Sequence, residues 1–135
     1  MNAVLVDSNV LIDIVAPHQL WERWSSDAVS AAAQQGRLVI NPIIYAEVSA
    51  GFDSIEQMDA ALPRDVFERE PIPFEAAFVA GQAFRTYRRR GGTRTTPLSD
   101  FFIGAHAAVA GYRLLTRDAR RYRGYFPRLD LIAPD

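Results

Sequence analysis

The chain has 135 residues, 49% hydrophobic and 23% charged, which reads as one globular domain over residues 1–135 with no room for a second core. It contains no cysteine and all 15 basic residues are arginine, so disulfide frameworks, zinc ribbons, thiol chemistry, a Walker-A phosphate loop and Schiff-base catalysis are excluded. The net charge of −1 conceals an asymmetry: residues 1–83 carry 4 Arg against 12 acids, while residues 84–128 carry 11 Arg against Asp100 and Asp118 alone. Such a block reads either as a well-solvated surface or as the contact for a local anionic partner.

Ala3–Val6 is a short apolar run of the kind a strand buried on both faces requires. Asp7, Ser8 and Asn9 follow as helix-start residues before the apolar VLIDIV. Leu20–Gln35 reads as a helix closed by Gly36, with Trp21 and Trp24 one turn apart as packing residues. Leu38–Ile40 is a second strand, and Asn41-Pro42 caps and opens a helix to about Ala50. A short helix over Ile55–Leu62 and a short strand over Val66–Glu68 come next. The longest helical pattern, Phe74–Arg90, sets Phe74, Phe78, Gly81 and Phe84/Arg85 along one side. After the polar loop 91–98, a helix runs from Ser99/Asp100 to Ala110, followed by strands at Arg113–Leu115 and Leu129–Ile132. Strands alternating with crossover helices predict an α/β fold, a three-layer α/β/α sandwich on a four- or five-stranded parallel sheet. No basic stretch precedes the first apolar run and no apolar segment approaches the roughly 18 residues of a membrane span, so a soluble, cytoplasmic protein is expected.

Ligands of an open parallel sheet bind beyond the carboxyl ends of its strands. Asp7 directly follows the first strand, Asp118 lies just past RLLT, and Asp100 opens the helix that feeds that strand. Glu47 follows Ile43 and Ile44 by four and three residues, on the inward side of its helix. Each has a purely structural alternative. Asp7 and Asp100 could be helix caps, Asp118 could cap a turn or pair with Arg117, Arg120 or Arg121, and Glu47 could reach solvent. If the four converge, two carboxylates about 4 Å apart repel by roughly 1 kcal/mol in water and about 4 kcal/mol at an effective dielectric of 20. Protonation or divalent cations must then offset the charge, and an all-oxygen set suits Mg²⁺ or Mn²⁺ rather than Zn²⁺.

The segments VLVDSNVLIDI, NPIIYAEVSAG, RTYRRRGGTRTTPLSDFFIGAHAAVAGYRLLTRD and YFPRLDLIAPD resemble, in order and spacing, the PIN-domain ribonucleases, specifically the VapC toxins of toxin–antitoxin pairs. The resemblance spans essentially the whole chain. It makes Asp7, Glu47, Asp100 and Asp118 the metal-binding and catalytic acids, with Asn9 and Thr116 supporting them from behind. It implies a Mg²⁺- or Mn²⁺-dependent endoribonuclease leaving 5′-phosphate and 3′-hydroxyl ends, a homodimer, and a cognate antitoxin that covers the acidic site. The arginines of the basic block, Arg85, Arg88, Arg89, Arg90 and Arg94, are then expected to hold the RNA backbone. The alternative is a catalytically silent module that binds RNA or antitoxin.

Other chemistries fit less well. His18 and His106 are too few and too far apart for a metal pair, and His106 reads as packing or surface. Ser99 and Thr116 lack a nearby base for nucleophilic catalysis. A haloacid-dehalogenase-type phosphatase needs a second Asp where this chain has Asn9, and a Lys the chain does not contain.

Overall fold

The computed structural model describes residues 2–16, 20–95 and 98–134. Ala3–Val6 forms β1 with all four residues buried, as its unbroken apolar run demands. Asp7 closes the strand and caps α1 (Ser8–Val15), its carboxylate accepting from the Ser8 amide at 2.8 Å. Helix α2 (Glu22–Gln35) leads to β2 (Arg37–Ile40). Asn41 then caps α3 (Pro42–Ser49), with proline in the first turn where no intrahelical donor is needed. Ser54 caps α4 (Ile55–Ala61), which precedes β3 (Phe67–Arg69). Helices α5 (Phe74–Arg89) and α6 (Ser99–Ala110) pack on each other before β4 (Arg113–Leu115). The short α7 (Arg120–Arg123) and β5 (Leu131–Ile132) complete the described elements.

The five strands are all parallel, in the order β3-β2-β1-β4-β5. Leu5 is central, paired with Val39 on one side and Leu114 on the other, and all three are wholly buried. The chain leaves β1 toward β2 and β3, then returns across the sheet to β4 and β5. With right-handed crossovers this reversal puts helices on both faces, giving the expected α/β/α layering. It also splays the connections leaving β1 and β4, and that divergence opens a crevice above their carboxyl ends.

Three element boundaries need adjustment. The α2 helix begins at Glu22 rather than Leu20, and the last strand pairs only Leu131 and Ile132. The third strand is shifted by one residue, because Val66 and Phe67 both donate to the Pro63 carbonyl and that turn holds Val66 outside the ladder. The side of α5 marked by Phe74 and Phe78 is not the buried one: they are 91% and 67% exposed, and Ala76, Ala80 and Ala83 face inward instead. Small side chains let α5 approach α6 closely. Tyr87 in its last turn meets the ring of Phe101 in the first turn of α6, with centroids 5.8 Å apart.

Candidate functional site

The crevice is lined by side chains that β1, β4, α3, α6 and α7 deliver to one rim. Asp7 is 2% exposed and has its acceptors engaged on both oxygens. Oδ1 takes the Ser8 amide, and Oδ2 takes the hydroxyls of Thr116 at 2.9 Å and Tyr122 at 2.7 Å. Burial raises the proton affinity of Asp7, those three donors oppose the shift, and the Glu47 charge adds to it. Asp100, in the first turn of α6, is pushed up to about 6, chiefly by burial. Arg121 opposes that shift, and the Asp7 and Glu47 charges reinforce it. Glu47 projects from α3 between two serines, its oxygens accepting from Ser8 at 2.7 Å and Ser99 at 2.9 Å. These three acids therefore lie within mutual electrostatic reach.

Asp118 sits further out. Its carboxylate meets Arg121 Nε at 2.9 Å, and the same guanidinium reaches to 3.9 Å from Asp100. Arg121 thus bridges the outer acid to the inner group. Among the described residues, no three His, Asp or Glu side chains are grouped so as to hold one ion as they stand. The donor set is nonetheless oxygen throughout, and burial, reinforced by the neighbouring carboxylates, favours protons at Asp7 and Asp100. That chemistry fits a hard divalent cation.

The expected supporting residues lie behind the acids. Thr116 Oγ1 donates to Asp7 and accepts from the Asp118 amide at 3.1 Å, while Asn9 Oδ1 accepts from the Arg117 amide at 3.1 Å. Three further participants escaped sequence reasoning. Tyr122 is fully buried, with its hydroxyl 2.7 Å from Asp7 and 3.5 Å from Asp100. A single phenolic proton serves the nearer carboxylate, and burial beside two acids drives the phenol's pKa far above its usual range. Ser8 and Ser99 are the other two. Each is polar beside a candidate acid in sequence, which was the only available signal.

Tyr122 reaches the acids because α6 carries Gly104 one turn beyond Asp100. A Cβ at that position would come within 2.5 Å of the Phe126 ring and 3.1 Å of Tyr122 Cδ1. The glycine lets both rings lie directly on the helix. His106 is wholly buried, consistent with packing. Asn41 lies 3.0 Å from its Nδ1, and Glu70 lies 3.6 Å from its Nε2. His18 lies outside the described residues, as do positions 96–97 of the polar loop.

The basic residues occupy the end of α5 and the loop beyond, next to the first turn of α6 through the Tyr87–Phe101 contact. Arg88 donates to the Arg94 carbonyl at 2.8 Å. Arg90 donates to the Gly124 carbonyl at 3.1 Å and stacks on Tyr125, so both are partly spent on local structure. Arg85, Arg89 and Arg94 are exposed.

No match was found among curated proteins. Among solved structures, the chain is similar to a chain of VapBC2 from Rickettsia felis bound to a DNA fragment from its promoter. Identity is 18% over 98% of this chain and 99% of that one, with a TM-score of 0.75. VapBC-1 from nontypeable Haemophilus influenzae gives 18% identity over 97% of both chains and a TM-score of 0.73. A toxin–antitoxin complex from Klebsiella pneumoniae gives 22% over 98% of both and 0.71. Likeness at that identity establishes the fold, which has the parallel sheet and two-sided helices described above. The PIN domain model matches residues 4–127, nearly the whole chain including all four candidate acids, and the chain therefore belongs to the PIN domain family.

Proposed function

We propose that this protein is a Mg²⁺- or Mn²⁺-dependent endoribonuclease acting in the cytoplasm as the toxin of a toxin–antitoxin pair. The observation that carries the reading is the gathering of Asp7, Glu47 and Asp100 at the crevice above β1 and β4, where Ser8 links Asp7 to Glu47 and the Tyr122 hydroxyl lies against Asp7 and Asp100. Four acids facing a polyanion serve binding poorly, but they suit cations that offset their charge. Asp7, Glu47, Asp100 and Asp118 would hold such ions, which supply a polarised phosphodiester and an activated water. The protein's own part is to fix the carboxylates: Thr116 and Asn9 anchor the loop after β4, and the two serines hold Glu47 between α1 and α6. The exposed Arg85, Arg89 and Arg94 supply positive charge for the RNA backbone. The VapBC and toxin–antitoxin complexes among its structural relatives support a cognate antitoxin as partner, and the family resemblance supports a homodimer.

The deciding experiment incubates purified, antitoxin-free protein with total RNA plus Mg²⁺, Mn²⁺ or EDTA and maps the cut ends. Metal-dependent cuts leaving 5′-phosphates are expected, and cleavage that survives EDTA would reject the metal role. A silent binding module is the second reading. It is favoured by the hydroxyl and guanidinium partners the acids already hold, and it predicts RNA or antitoxin binding with no cuts under any ion.

A further inference from the structure

We propose that the Tyr122 hydroxyl is a latch on the acidic site: it fills the acceptor position on Asp7 Oδ2 that faces Asp100, and a divalent ion held between the two carboxylates at that position displaces it. The inference rests on the metal reading above and adds a residue that opposes the ion rather than binding it. Each carboxylate oxygen offers two lone pairs. On Asp7, Oδ1 is used by the Ser8 amide at 2.8 Å and lies 3.4 Å from the Ser8 hydroxyl, while Oδ2 is used by Thr116 and Tyr122. The Ser8 amide belongs to the helix cap. Thr116 is tied in turn to the Asp118 amide and lies 3.4 Å from the Asn9 amide nitrogen, so withdrawing it would unpick the loop after β4.

Tyr122 is the remaining donor to Oδ2, and among the described residues its oxygen is the one within hydrogen-bond distance of both Asp7 and Asp100, at 2.7 Å and 3.5 Å. It rides on the four-residue α7, which lies outside the sheet. The ring packs on α6 at Gly104, which holds the hydroxyl in place while no ion competes. Removing the oxygen and keeping the ring should therefore leave the fold intact and make ion entry easier.

Calorimetric titration of the full, ion-stripped chain with Mn²⁺ tests this directly. Tyr122→Phe is expected to bind Mn²⁺ about tenfold more tightly than wild type, the scale of one hydrogen bond to a charged group. Thr116→Val, which removes a donor from the same oxygen but loosens the loop, should bind no more tightly than wild type. Equal or weaker binding by Tyr122→Phe overturns the latch, and if RNA cleavage still needs the metal, the function proposed above stands without it. Mn²⁺ binding by neither protein overturns both. Binding by the variant alone supports the latch. As a check independent of any substitution, Mg²⁺ added to wild type should abolish or strongly shift the NMR signal of the Tyr122 hydroxyl proton. Its persistence unchanged once the Asp100 amide signal has saturated overturns the proposal.

Discussion

Asp7 and Asp13 stand at opposite ends of α1, each 2% exposed, and they are held in contrasting ways. Asp13 receives a guanidinium: Arg117 donates to its two oxygens at 2.9 and 3.2 Å, Ser25 adds a hydroxyl at 2.8 Å, and Arg117 is itself stacked on Trp21. Asp7 receives neutral donors only and, among the described residues, has no ion pair, while Glu47 and Asp100 act on it or through it electrostatically. A buried carboxylate with its own arginine is a finished structural unit. One buried among other carboxylates, with no guanidinium of its own among the described residues, carries a charge that burial and its neighbours oppose. The difference separates a clamp from a site.

The largest expected effect tests the site half of that comparison. Asp7→Ala should reduce RNA cleavage to the level seen in EDTA while RNA binding without metal stays equal or tightens, because a repulsive charge has gone. Retained cleavage in an end-mapping assay would remove Asp7 from the chemistry. The clamp half is tested by Arg117→Ala, which strands Asp13 as an uncompensated buried charge. A loss of about 3 kcal/mol in denaturant unfolding is expected, and an unchanged midpoint would make the pair ornamental.

Opposite behaviour is expected at Asp100, where the charge is a liability in the absence of metal. Asp100→Asn should raise the metal-free melting temperature by a few degrees and blunt the rise that Mn²⁺ produces in wild type. The pH dependence sharpens this. Asp100 has a folded pKa of about 6, above its unfolded value, so the folded state binds the extra proton. Its contribution to stability is present below the unfolded carboxylate pKa and is lost as pH rises through about 6. His106, lowered by burial, runs the other way: its contribution is intact above 6.5 and is lost as pH falls from there toward its depressed folded value. Melting curves should therefore flatten near pH 6 in Asp100→Asn and at lower pH in His106→Gln. The same profile in both variants would contradict the assignment.

The smallest effect belongs to the basic block. Neutralising Arg85 and Arg89 together should weaken binding across RNA sequences and flatten the salt dependence by roughly 0.7 for each lost phosphate contact. Filter binding at several salt concentrations reads this. Arg90→Ala should change stability more than RNA affinity, since its guanidinium is tied to Gly124 and Tyr125.

Much of this was legible in the residues. The apolar run AVLV and the short RLLT, set between longer helical patterns, read as buried strands, and a parallel sheet fixes which of their ends faces a ligand. Asp7, Asp100 and Asp118 could be placed on that rim because each adjoins an element whose direction was readable, whereas helical spacing put Glu47 only on the inward face of its helix. Tyr122 could not be placed, since its partner is 115 residues away and nothing local distinguishes a tyrosine that packs from one that aims its oxygen at a carboxylate. Spacing on α5 also left its buried face open: Phe74 and Phe78 share a side, yet it is Ala76, Ala80 and Ala83 that are buried, and which side turns inward is set by the neighbouring elements.

The partners of Asp7 also bear on how the protein comes into being. Asp7 is made 109 and 115 residues before two of its three donors, Thr116 and Tyr122. The strand just before the first of them, β4, docks directly beside β1. A chain emerging from the ribosome therefore carries Asp7 without the two hydroxyls that order it. The crevice becomes complete only after Tyr122 has been made and the domain can close around it.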